Sequence, residues 1–496
     1  MKKHLVVVTL GAYSLYGAGF KLNEHSLNSI ALSSAYVAGA NGADSALYNP
    51  ANMGMGKFAN KHEIEVSVTW LNVPSFDFTT DFTKVKNEIG RDQGTQVSCK
   101  PNSVLGSLTC VGVDLFAPGA PQGVPKADGH AKATNFAYPE IFYKSPTFYG
   151  FNVGLSVTAP SGMTIDWDGE GGKFLDNSFI AMVEANPVIS FKFAEWFSIG
   201  GGGRVLYGMG KFKNSLYVPY EQSMQIGTPG FTAIVTSKGT TAVDQISDTK
   251  GWGYGWNAAL TLKPLYFWNK GLSISATYRS PAHINFEGTL KAKARTGSAD
   301  KPMVTADMDA DLTLSTDLPP VMQIGVAQQI GKFLVEFVYE RNFWSYGDKF
   351  EFNYKNQKFS NIAGSQAGQL GSTPEQQEQA MHNMMSGADY DAVAIGRGWQ
   401  DTNSYRLGVT YGVGQKLRLM ASVAYDETPV PSDAFGIPDA DGYMVGVGAR
   451  YSMFDDTLDV GAAYSMTFKD NRKSAVQSHD GWGKLQLVNV SMACRF

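Results

Sequence analysis

Past its first residues the chain has no hydrophobic run of the ~20 residues that a membrane-spanning helix needs, so a helical membrane protein is excluded. Cysteine is scarce, three residues in 496, too few for a disulfide-built scaffold. No second cysteine or histidine stands at ligand spacing, so neither a metal nor a cofactor is expected. Beyond the N-terminal segment the histidines are His25, His62, His130, His283, His382 and His479. None belongs to a nucleophile-elbow or metalloprotease motif, and no enzyme is expected. Positive charge is not in excess either: a net charge of −4 argues against a nucleic-acid partner.

What is present begins with an export signal. Lys2 and Lys3 precede an apolar stretch from Leu5 to Leu15, followed by Gly17, Ala18 and Gly19. This reads as a signal peptide over residues 1–18, cleaved after Gly17 or Ala18, with Tyr16 an imperfect residue ahead of that site. Export places Cys99 and Cys110, close together in a polar stretch, in an oxidising exterior where they are expected to form a disulfide. Cys494 is expected to face lipid.

The remaining chain is rich in glycine (54 residues) and in short alternating segments. Tyr405, Leu407, Val409, Tyr411 and Val413 interleave with Arg406, Gly408, Thr410 and Gly412, and the pattern repeats from Leu417, Tyr443 and Leu458. A soluble sandwich also alternates, but these runs last about ten residues, the reach of a tilted strand across a membrane. Connections are alternately tight, as at Gly331-Lys332, and long, as short periplasmic turns and long outer loops would be.

The fold class is therefore all-β: a transmembrane antiparallel β-barrel of about 14 strands. Counting back from the terminal aromatic Phe496, strands are expected to begin near His62, Ala133, Phe151, Ser178, Phe197, Gly251, Gly271, Pro319, Phe333, Asn403, Gln415, Gly442, Thr457 and Gly483. Outer loops are expected at residues 79–130, 218–250, 290–317, 355–400 and 427–441, with a short helix near Pro374–Met385. The barrel occupies 61–496. Expected partners are outer-membrane lipids and, through Phe496, the barrel-assembly machinery, and the expected state is a monomer. Residues 19–60 match no strand. About fourteen strands enclose a lumen wider than side chains fill, so this segment reads either as an N-terminal hatch (plug) inside it or as a periplasmic tail.

Gly19-Phe20-Lys21-Leu22-Asn23-Glu24, Ala35 to Gly39, Ala43-Asp44-Ser45 and Asn49-Pro50-Ala51 resemble the opening of the long-chain fatty acid transporter (FadL-type) family, which includes related aromatic hydrocarbon transporters. Gly251 to Ala258, Thr277 to Ser280 and Asp426 to Pro431 continue the likeness in family-like order. The resemblance implies that 19–60 is the hatch, marked by Asn49, Pro50 and Ala51. It further implies passive outer-membrane transport of long-chain fatty acids or similar hydrophobic small molecules, captured in an apolar lumenal pocket. Release would be lateral, at a kinked third strand, where Pro160, Ser161 and Gly162 stand in the matching place. Proline removes a ladder donor and glycine packs nothing, so a bulge there is physically reasonable. An ordinary strand end at the outer rim is the plainer reading of the same residues.

A fatty acid carboxylate needs one or two cationic donors. Arg204, Arg279, Arg406, Arg418 and Arg450 fall on the inward phase, and lumenal salt bridges with Glu336, Glu340 and Asp426 account for most of them. Arg204, Arg279 and Lys349 are the headgroup candidates. Trp252, Tyr254, Trp256, Trp344 and Tyr346 suit an interfacial girdle better than a ligand box. Two alternatives stand beside fatty acid transport: uptake of monoaromatic hydrocarbons by the same mechanism, and a surface adhesin or antigen using the loops at 79–130 and 355–400.

Overall fold

The computed structural model describes residues 21–496 apart from 82–95, 103–106, 114–125, 174–175, 229–230, 269–270, 298–299, 348, 386–392, 397, 432–438, 474–476 and 481–483. The expected signal peptide lies outside the described residues, as do the side chains of Cys99, Cys110 and Lys349.

In the first strand, β1 (Glu63–Val73), Glu63, Glu65, Ser67 and Thr69 are buried while Ile64, Val66, Val68 and Trp70 are exposed. Water would reverse that pattern. Lipid outside and a polar lumen inside produce it, because an aliphatic face gains nothing from being hidden from hydrocarbon. The inversion recurs around the whole molecule.

After β1 come β2 (Thr134–Lys144), β3 (Phe151–Asp168), β4 (Asn177–Ala194), β5 (Phe197–Thr228) and β6 (Phe231–Leu262). β7 has two parts, Leu272–Arg279 and Ala282–Gly297, broken at Ser280-Pro281, and β8 likewise runs Pro302–Leu318 and Val321–Ile330 around Pro319-Pro320. β9 (Phe333–Asn342), extended outward by Lys349–Ala363, leads to β10 (Thr402–Val413), β11 (Leu417–Asp426), β12 (Gly442–Met453), β13 (Leu458–Lys469) and β14 (Lys484–Arg495). Each pairs antiparallel with the next, and β14 returns to β1 from Glu63↔Arg495 to Asn72↔Gln486, closing a 14-strand barrel. Closure satisfies the backbone groups that lipid could not. At the seam His62 and Phe496 exchange backbone hydrogen bonds of 3.0 and 3.2 Å, and their rings stack at 5.1 Å.

The strand count agrees with the alternation, but two expected outer loops do not survive. Within 218–250 and 290–317 the described strands β5 to β8 continue, β5 and β6 being 32 residues each. At ~3.3 Å per residue such strands run to about 100 Å, several times the ~25 Å apolar band they cross. The outer parts read as loops in the sequence because one face carries charge: Lys291 stands opposite Asp309 and Lys293 opposite Asp307. Their other face, with Ile284, Phe286, Leu290, Met308, Leu312 and Leu314, is buried. Strand segments also interrupt the expected loop at 79–130, at Gln96–Asn102, Ser107–Val113 and Lys126–Ala131. Part of the 355–400 insertion is strand, and the helix Pro374–Met385 follows.

The N-terminal segment fills the lumen. It folds as α1 (Leu27–Ala31), α2 (Ser45–Tyr48) and a 3-10 turn (Pro50–Asn52), every residue of which is buried. These helices are too short to be stable alone. Contacts with the barrel wall hold them: Arg406 on β10 reaches the Ser33 carbonyl at 3.0 Å and Asp426 at 2.8 Å, and Lys21 pairs with Glu340 on β9 at 3.1 Å. The wall is cut back to receive them. A Cβ on Gly446 of β12 would stand 2.6 Å from the Ile30 carbonyl, and one on Gly200 of β5 2.7 Å from the Ala51 amide.

Candidate functional site

One seam of the wall is open over part of its length. β2 and β3 pair over Ile141↔Val157 to Lys144↔Gly154, and the same register returns beyond the start of β2, where the Lys132 amide donates to the Asp166 carbonyl at 3.0 Å and His130 and Ala131 meet Asp168 and Trp167. Between these ends the described strands share no ladder. Their lengths match, so an unbroken register was available, and local chemistry must hold them apart. On its other side β3 carries a bulge: Thr158 pairs with Glu184 of β4, but the next pair is Ser161 with Met182. Pro160 lies in the bulge and Pro139 on the facing stretch of β2, each lacking an amide donor.

Unpaired strand edges at membrane depth are unfavourable by several kcal/mol per group unless something covers them. Here the first described residues of the hatch do so. Lys21 forms an isolated antiparallel bridge with Ser161, and the Leu22 amide donates to the Pro160 carbonyl at 3.0 Å.

A cavity of about 80 Å³ opens between that bridge and the wall formed by β5 to β8. Pro160, Arg204 and Arg279 all line it, together with Lys21, His25 and Tyr48 of the hatch. Three residues singled out from sequence are thus brought to one place. The two arginines are not free. Arg204 grips Glu184 through Nε and Nη2 at 3.0 and 2.8 Å and gives Nη1 to the Ser280 carbonyl at 2.7 Å, while Arg279 donates Nη2 to the other Glu184 oxygen.

One fully buried carboxylate therefore serves two guanidiniums, an excess of one positive charge. Arg279 Nη1, Thr158 Oγ1 and Asn257 Oδ1 are buried around this cavity without a hydrogen-bond partner. Buried polar atoms left in this way ask for a polar group to complete them. Glu184 was missed from sequence, where it appears as a lone acid in an apolar strand; its inward phase, two residues from Asn186, was the available signal.

The other candidates disperse. Asn49 organises the hatch: its Oδ1 accepts from the Ala51 amide at 3.1 Å, and its Nδ2 donates to the Val37 carbonyl at 2.9 Å and to Thr261 of β6 at 3.0 Å. Pro50 opens the 3-10 turn, and the Ala51 carbonyl accepts from Ser198 at 2.7 Å. Gly162 lies on β3 beyond the bulge. Arg450 pairs with Glu65 and Arg418 with Asp459. Glu336, expected in an arginine pair, instead accepts from three hatch amides. Trp252, Tyr254 and Trp256 are exposed on the lipid side, whereas Trp344 is buried against Trp399 at a ring distance of 4.9 Å. Cys494 is exposed beside Val490 and Met492, and Cys99 stands opposite Cys110 in a hairpin.

A lipid-facing barrel, a plug anchored in its lumen and a cavity at a break in its wall define a plugged membrane conduit. The chain belongs to the outer membrane protein transport family (OMPP1/FadL/TodX), whose family model matches residues 8–494. It is an outer-membrane protein of a family that moves hydrophobic compounds. It is 24% identical over 391 residues to a long-chain fatty acid transport protein of Escherichia coli O6:H1 (strain CFT073), covering 74% of this chain and 79% of that one. It is 22% identical over 356 residues to outer membrane protein P1 of Haemophilus influenzae, covering 68% of each. Among solved structures, a Pseudomonas aeruginosa FadL homologue superposes with a TM-score of 0.64 at 16% identity, over 96% of this chain and 99% of that one. The P. putida toluene transporter TodX gives 0.60 at 14%, with the same two coverages.

Proposed function

We propose that this chain carries long-chain fatty acids or similar amphipathic apolar compounds passively across the outer membrane. Cargo occupies the cavity beside the β3 bulge and leaves sideways between β2 and β3 when Lys21 and Leu22 let go of that strand. The observation that carries this reading is the meeting, at one cavity, of the open seam, the hatch start that covers it and a buried arginine pair with one carboxylate between them. As it stands the cavity is too small for a long chain, being below even the ~150 Å³ that admits benzene. Transport therefore requires the hatch start to move, and the Lys21–Glu340 pair is the contact that must break.

The surplus cation favours an acid over a neutral hydrocarbon. In cells lacking their own fatty acid transporter, expression of this chain should restore uptake of labelled oleate, and Arg279→Ala should lower it roughly tenfold, as expected for a lost charge-assisted hydrogen bond, while toluene uptake changes little. Equal losses for both compounds would assign Arg279 a purely structural role; no uptake of either would reject the transport reading.

We also propose that the mature protein is a monomer, delivered to the barrel-assembly machinery through Phe496, with a Cys99–Cys110 disulfide in its outer hairpin. The cross-strand register supports the disulfide. Mass spectrometry of the purified protein should find the two thiols joined, and two free thiols would contradict it.

A further inference from the structure

Glu336 of β9 holds the hatch to the wall by a contact that the transport reading leaves unused. Its side chain is buried, and both oxygens are turned onto consecutive amides of the hatch: Oε1 accepts from Val37 at 2.7 Å and Ala38 at 2.6 Å, and Oε2 accepts from Gly39 at 2.9 Å. Successive amides converging on one anion form a nest, a binding geometry for anions in general. The hatch supplies the nest and the barrel supplies the anion.

Both partners are shaped for it. A Cβ on Gly39 would stand 2.6 Å from Oε2, and one on Gly325 of β8 would stand 3.1 Å from Oε1 and 3.0 Å from the Ala38 amide. Two positions without side chains thus make room for one carboxylate. A second cavity, of about 210 Å³, lies against this contact on the side of the Gly331-Lys332 turn. Glu336 and Gly39 line it, as do Lys332 and Arg418, while Leu32 and Met420 give it an apolar part. Cationic and apolar groups around an amide nest match a small acid with a short apolar tail.

We infer that Val37–Gly39 is a carboxylate-binding site on the hatch, which Glu336 fills in the closed barrel, and that a free monocarboxylate arriving through the adjoining cavity takes the place of Glu336. Exchange frees the hatch from β9 without leaving its amides unsatisfied. The inference rests on the hatch being the gate, but not on the identity of the cargo or on the lateral route.

The test is chemical competition in planar bilayers, using the full-length mature protein and acetate as the probe. Glu336→Ala empties the nest and should raise the fraction of time in conducting states roughly tenfold or more, the scale of losing hydrogen bonds to a charged group. In the native protein acetate should raise the fraction of time in conducting states, whereas chloride at equal ionic strength should not, and in Glu336→Ala acetate should add nothing to a conductance already raised. Glu336→Gln, with one acceptor oxygen left, should fall between the two. Gly39→Ala should open the barrel with Glu336 still in place, which keeps the proposal testable should Glu336→Ala fail to assemble; heat-modifiable gel mobility reports assembly. Native conductance in Glu336→Ala or Gly39→Ala would overturn the inference, as would a native protein whose conductance is indifferent to acetate. Fatty acid uptake by the native chain does not depend on which of these results is obtained, so this proposal and the transport reading can fail separately.

Discussion

Glu184→Ala is expected to be the most damaging single substitution in the barrel. The carboxylate is completely buried and is the shared partner of Arg204 and Arg279. Removing one partner of a buried ion pair costs about 3–5 kcal/mol, because the remaining charge has neither water nor counterion. Here two guanidiniums are stranded at once, in a lumen flanked by lipid. That is comparable to the whole stability of many folded domains. The variant should be recovered largely unassembled, or should unfold in urea at a much lower concentration than the native barrel, with gel mobility as the readout. Replacing both arginines with methionine in the same chain should restore assembly, since no charge is then left unpaired. If Glu184→Ala assembles with native urea resistance, the charges are already satisfied by other means and the arginine pair loses its assigned character.

The barrel was legible from sequence for a simple reason. Lipid imposes a strict two-residue period on every strand, and Tyr405 to Val413 or Tyr443 to Tyr451 display it without interruption. The outer ends of β5 to β8 were not legible, because above the membrane the outward face meets water. There Lys291, Lys293, Asp307 and Asp309 alternate with buried apolar residues, and the segment reads as a polar loop. What separates the two cases is the solvent, which a period alone does not reveal.

The site was legible by residue type but not by partnership. Arg204, Arg279 and Pro160 stood out as inward cations and a strand breaker. Their meeting at one cavity depends on which strands neighbour each other and on the tilt of each, which is long-range information. Glu336 shows the converse: an inward acid was expected to find an arginine, whereas it found backbone amides, which have no signature in side-chain chemistry. Glycines at 39, 200, 325 and 446 were the available hint, since each marks a place where the hatch and the wall approach closely.

The second large effect concerns the open seam. β2 and β3 keep one register on both sides of the gap, so restoring donors and side chains should let the intervening residues pair. Pro160→Val with Gly162→Val, and Pro139→Val added on the facing strand, is the variant that does this. It closes the proposed exit while leaving Arg204, Glu184, Arg279 and the outer sheet untouched. Sealing a gap adds hydrogen bonds in lipid, so the barrel should gain rather than lose urea resistance.

The central claim, that cargo leaves the lumen sideways through this seam, is tested most directly by oleate uptake in cells expressing the sealed variant, alongside oleate binding to the same purified protein. Uptake abolished while binding persists is the predicted result. Uptake at the native rate through a barrel whose amide exchange shows β2 and β3 fully paired would contradict it.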